Sequence, residues 1–147
     1  MSWTKNGFRV TTNVEEFDVN YIHNFISHSY WGQNIPIDTV RRSIQGSLSF
    51  AVFDNEQQIG FARAITDHAT FAYIADVFID EAYRGRGLSK WLMEVILQHP
   101  SLQGLRRILL ATRDAHGLYA QFGFKGLPEP DRWMQIHNPD VYSRSSG

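Results

Sequence analysis

The sequence contains no cysteine. That excludes a disulfide framework, a thiolate metal site and a cysteine nucleophile. It also has little net charge: 14 Lys and Arg against 15 Asp and Glu leave −1 at pH 7. Such a balance gives no bulk attraction to DNA, RNA or an anionic lipid surface, so neither nucleic acid nor membrane is an expected partner. No apolar run approaches the length that a bilayer span requires. The opening Met1-Ser2-Trp3-Thr4-Lys5 is not followed by the apolar stretch of a secretory signal. A soluble cytoplasmic protein is the expectation. Repeats, low-complexity tracts and linkers are missing too, so residues 1–147 read as one domain, with 143–147 as a frayed tail.

What the chain does have is apolar and aromatic residues, at 43% and 14%. That is enough to bury a core built largely on rings, with some rings free to line a cleft. Residues 18–28 place Tyr21, Ile22, Phe25 and Ile26 on one helical face. A second helix starts near Pro36, with Ile37, Val40 and Ile44 inward. Residues 49–53 and 58–66 read as a hairpin around a polar turn, and 71–79 as a central strand with little polar interruption. Leu88, Trp91, Leu92, Val95 and Ile96 mark a helix over 88–98. Residues 107–111 form a short strand. Asp114 caps a helix that runs to Phe122 and stops at Gly123, and 133–137 form a last strand. The order predicts a mixed α/β (α+β) domain, antiparallel first and with a parallel crossover after.

The turn between the long strand and the 88–98 helix is Arg84-Gly85-Arg86-Gly87-Leu88-Ser89. Two glycines in that space permit backbone angles that other residues avoid. The helix start that follows leaves N–H groups unpaired and carries partial positive charge, which suits a phosphate. Arg84 and Arg86 add charge. The spacing alone fits a plain tight turn equally well. It is not an NTPase phosphate loop, which needs Gly-Lys-Ser/Thr, nor a dinucleotide fingerprint, which needs Gly-x-Gly-x-x-Gly.

This loop resembles the pyrophosphate motif of the GNAT superfamily of N-acetyltransferases, Gln/Arg-x-x-Gly-x-Gly/Ala at a strand–helix junction. Arg84 and Gly87 fit; Ser89 stands where the motif has Gly or Ala. Asp114-Ala115-His116-Gly117-Leu118-Tyr119-Ala120-Gln121-Phe122-Gly123-Phe124 is similar to the family's later helix, a Tyr followed by Gly-Phe. The two motifs in this order are more specific than either alone. The resemblance covers about residues 7–137, the first half only in its pattern of elements.

The resemblance implies a mostly antiparallel sheet with helices on both faces. Strands 71–79 and 107–111 would be parallel and splay at their C-terminal ends. The pantetheine of acetyl-CoA, the acetyl donor, would lie against Val77, Phe78 and Ile79. Its pyrophosphate would rest on Arg84, Gly85, Arg86, Gly87, Leu88 and Ser89. The acceptor would be a primary amine of a small molecule or peptide, attacking directly in a ternary complex. Tyr119 matches the family's proton donor to the leaving thiolate, and a backbone N–H near Val77 or Phe78 would polarise the carbonyl. A homodimer paired through late strands is the family analogy.

The base is open. Asp76 interrupts an apolar strand, so it is either a base raised by burial or a carboxylate satisfied by backbone donors or an arginine. Deprotonation through water is the other route. Tyr30 and Trp31, between the first two helices, are either a lid over the acceptor or a packed loop. The six histidines show no metal pattern, and no metal is expected. Two other functions fit parts of the pattern: a non-catalytic acyl-CoA sensor, and a nucleotide- or phosphosugar-binding domain.

Overall fold

The computed structural model describes residues 1–143. The frayed tail expected over 143–147 therefore lies, apart from Ser143, outside the described residues. One six-stranded sheet runs in chain order: β1 (Ser2–Lys5), β2 (Phe8–Thr11), β3 (Leu48–Asp54), β4 (Gln57–Thr66), β5 (Phe71–Ile79) and β6 (Arg107–Leu110). Neighbours are antiparallel except β5 and β6, which are parallel. Helices α1 (Val19–Ser27) and α2 (Ile37–Gln45) precede β3. Helix α3 (Leu88–Gln98) makes the β5–β6 crossover, and α4 (His116–Ala120) follows β6.

Alternation along β3 sorts the two cores. Phe50 and Val52 face α3, with Trp91, Leu92, Val95 and Ile96. Ala51 and Phe53 face the other way, toward Ile22 and Ile26 of α1 and Val40 and Ile44 of α2. Helices thus cover both faces of the sheet, and side chains two apart on a strand share one of them. Complete burial of a Phe or Ile is worth roughly 1.5–3 kcal/mol, so each strand contributes to two cores. Asp18 starts α1, its side chain accepting from the Tyr21 N–H at 3.0 Å. Gln58 ties that start to β4: its Oε1 accepts from the Asp18 N–H at 2.8 Å while its Nε2 donates to the Gly60 carbonyl.

Four features differ from the reading of the sequence. First, β1 and β2 were not legible as strands; they pair with each other and add β2 to β3. Second, β5 is an interior strand, but it lies one in from the sheet edge, because only β6 is added beyond it. Third, residues 133–137 form no strand; a 3-10 turn over Pro130–Arg132 leads into extended chain, with Met134 and Ile136 exposed. Fourth, Asp114 does not cap α4. The Ala115 N–H bonds the Thr112 hydroxyl instead, at 3.0 Å, and the helix ends at Ala120. Gly123, at φ +92°, still stops it, its N–H returning to the Ala120 carbonyl.

Candidate active site

The site forms where the parallel strands part. β5 and β6 pair from Phe71↔Arg107 to Ile74↔Leu110, and there β6 ends while β5 continues to Ile79. Just past that point β5 bulges. Phe61 and Arg63 of β4 stand opposite Phe78 and Ala75, so β5 carries an extra residue between them. Asp76 sits in this bulge at φ +55°, a left-handed conformation that Asp tolerates better than most residues. The bulge turns the strand end away from β6 and opens a cleft at the C-terminal ends of the strands.

The cleft has two chambers. One, of about 660 Å³, is lined by Val77, Phe78 and Ile79, by Arg84 and Ser89 and by Tyr119. The other, of about 710 Å³, is lined by Arg63, Tyr73, Asp76, Arg113 and Leu110. Tyr30, Trp31, Val77, Asp114 and Tyr119 border both. The structure therefore gathers the resemblance-derived strand residues, the loop arginine, Ser89, the tyrosine and the ring loop in one place. Gly85, Arg86, Gly87 and Leu88 do not line the cleft. They form its rim, and Leu88 packs into the core.

At that rim Gly87 is the N-cap of α3 at φ +75° and supplies no side-chain cap. Gly85 is also left-handed, at φ +82°. A Cβ on either would meet nothing within 4 Å, so glycine is required here for its backbone angle and not for space. The first N–H groups of α3 are left for a ligand. Arg84 donates from Nε to the Ile79 carbonyl at 3.2 Å, and the Arg86 guanidinium lies 5.1 Å over the Tyr83 ring. Neither has a carboxylate partner among the described residues. Uncapped N–H groups and two uncompensated cations suit a diphosphate.

Tyr119 is half-buried, its ring edge-on to Phe124 at 6.0 Å. Its hydroxyl has no hydrogen-bond partner among the described residues. Burial pushes its phenol above the ordinary value, and nearby Tyr30 adds to the rise. The group stays protonated at neutral pH and faces the cleft.

Asp76 is engaged on both oxygens. Oδ2 accepts from Arg63 Nε at 2.6 Å and Oδ1 from Trp31 Nε1 at 2.7 Å. Of the two alternatives left open by the sequence, the geometry shows a carboxylate held by an arginine. Its second bond fastens the Tyr30–Trp31 loop across the cleft. Trp31 also meets Phe25, which stacks on Phe78 of β5 at 3.7 Å. Tyr30 and Trp31 remain 59% and 44% exposed, and both border the two chambers. Arg113 closes the far side, its guanidinium 3.9 Å over the Tyr30 ring.

Arg63, Arg113 and Asp114 are the site residues that the sequence did not single out as such. Arg63 was within reach: a tight 66–71 turn puts it opposite Ala75, beside the one carboxylate in β5. Arg113 carried no local signal. Among the described residues no group of His, Asp and Glu is placed to hold a metal ion, and no helix is long and apolar enough to cross a membrane.

The same architecture recurs in known proteins. A GNAT-family protein from Xanthomonas campestris pv. campestris superposes with a TM-score of 0.91, at 45% identity over 95% of this chain and 99% of its own. A Clostridium acetobutylicum protein solved with acetyl-CoA shares the fold at a TM-score of 0.64 and 14% identity, over 93% of this chain and 96% of its own. In sequence, GCN5-related N-acetyltransferase 2 of Arabidopsis thaliana is 35% identical over 67% of this chain, which spans 40% of that protein. The acetyltransferase (GNAT) family profile matches residues 13–124, a span that runs from the first helices through the start of α3 to Tyr119 and Phe124. With fold, loop and later helix in agreement, this chain belongs to the acetyltransferase (GNAT) family.

Proposed function

We propose that this chain transfers the acetyl group of acetyl-CoA to a primary amine of a small molecule or peptide, with both substrates bound together. The observation that carries the reading is the continuous cleft. It runs from the uncapped start of α3, past the bulged end of β5, to a phenol hydroxyl with no hydrogen-bond partner among the described residues. The fold shared with a protein solved with acetyl-CoA supports the choice of donor.

Acetyl-CoA supplies the activated acyl group; the chain's residues do the rest. The N–H groups at the start of α3, with Arg84 and Arg86, hold the diphosphate. Val77, Phe78 and Ile79, beyond the last β6 pairing, offer backbone edges to the pantetheine amides. An N–H there stabilises negative charge on the carbonyl oxygen. The amine lone pair forms the new N–C bond and the C–S bond breaks. Tyr119 gives its proton to the departing sulfur and regains one from solvent.

An alkyl amine with pKa about 10.4 is overwhelmingly protonated at neutral pH, so its proton must leave first. Asp76, with both oxygens occupied, is assigned to holding the lid. Water in the open second chamber takes the proton.

Two measurements test this reading. Calorimetry should show acetyl-CoA binding and much weaker binding of ATP. Thiol release in the presence of a panel of primary amines should exceed the rate without amine. A preference for ATP, or binding of acetyl-CoA with no amine-dependent release, overturns it.

A further inference from the structure

The second chamber is lined by four charged groups, and two of them form no ion pair among the described residues. Arg63 and Asp76 satisfy each other. Arg113 and Asp114, on the connection from β6 to α4, have no charged partner among the described residues. Asp114 does not cap α4, whose start has no side-chain cap, and the Ala115 N–H before it bonds the Thr112 hydroxyl. Both residues line the chamber beside Tyr119. The Arg113 guanidinium lies 3.9 Å over the Tyr30 ring and makes no hydrogen bond among the described residues, so its N–H groups are available to a planar two-oxygen acceptor.

We infer that the acceptor is an amine bearing a nearby carboxylate, a free amino acid. Arg113 takes the carboxylate and Asp114 draws the ammonium toward Tyr119. This rests on the acetyl-transfer reading above. The charge pattern favours a zwitterion over a simple cation or anion: with Arg63 and Asp76 paired, the remaining positive and negative groups are neighbours in sequence and open to the same space. The rings of Trp31 and Tyr73 on that chamber suit an apolar or aromatic side chain.

The test compares amino acids with their decarboxylated amines, such as phenylalanine with phenethylamine, tryptophan with tryptamine and leucine with isoamylamine. The readout is the ratio of kcat/KM for acid over amine. Intrinsic differences in amine reactivity are common to every enzyme form and cancel between them. Wild type should prefer the acids, and Arg113→Gln should lower the ratio by about tenfold, the scale of one charged hydrogen-bonding contact near solvent. A merely structural role for Arg113, holding Tyr30, would move both members of a pair equally and leave the ratio unchanged; that result overturns the inference.

A second measurement needs no variant. N-acetylphenylalanine should inhibit wild type more strongly against the acceptor than N-acetylphenethylamine. Equal or weaker inhibition overturns the inference. Turnover of the simple amines with no preference for acids overturns it alone and leaves acetyl transfer standing. Acetyl-CoA binding without thiol release for any amine overturns both.

Discussion

Replacing Tyr119 by Phe removes one hydroxyl and keeps the ring. The ring's packing on Phe124 and the α3-side core is retained. The hydroxyl makes no bond within the described chain, so its loss leaves no buried partner unpaired. Stability should change by no more than about 0.5 kcal/mol. Activity should not be spared. A positioned general acid contributes about 100-fold or more, so kcat should fall by at least that, about 2.7 kcal/mol of barrier. The pH profile carries a second signature. Burial raises the phenol above its ordinary value of about 10, so the acid form persists through neutral pH. Wild-type kcat should therefore rise through about pH 7–9 as the bound amine loses its proton, and its alkaline decline, from loss of the phenol proton, should lie above the ordinary tyrosine range. The same sign holds for stability: a raised pKa in the folded state gives a contribution present at neutral pH and lost as pH rises through the raised value. The assay is thiol release under saturating acetyl-CoA, with acetyl-CoA affinity measured in parallel. Unchanged kcat at intact affinity would refute the role of Tyr119, as would an alkaline decline that survives in the Phe variant.

Asp76→Asn keeps the shape and the tolerance for a left-handed backbone but strands Arg63, whose side chain is only 17% exposed. The expected loss is about 2 kcal/mol, or roughly 6 °C in a melt. KM for the amine should rise as the Trp31 latch weakens, and an unaltered melt would show that the pair does not hold the bulge. Gly87→Ala meets no steric obstacle yet forces a side chain to φ +75°. A loss of about 1 kcal/mol is expected, together with weaker acetyl-CoA binding by calorimetry; affinity equal to wild type would remove the α3 start from the donor site.

The short-range signals in the chain were the ones that could be read. Helix α3 repeats apolar residues every third or fourth position, and α1 announces itself with Asp18 and one apolar face. Such patterns arise from neighbours within a turn or two, so the chain displays them locally. β1 and β2 were missed because four-residue strands hold too few positions to show a period. The expected last strand failed for the opposite reason: Trp133–His137 has suitable residues, but pairing is set by a partner and not by composition.

The sequence by itself determined the family motifs, the glycine-bearing start of α3 and the identity of Tyr119. Tertiary structure decided what stands around them. Only strand register brings Arg63 against Asp76, and only the chain's path over the sheet lays Trp31 on that carboxylate and Arg113 on Tyr30. Those contacts join residues 13, 45 and 83 positions apart. They exist only once two cores have closed on opposite faces of the sheet, because long-range pairing repays its chain entropy only in the folded whole.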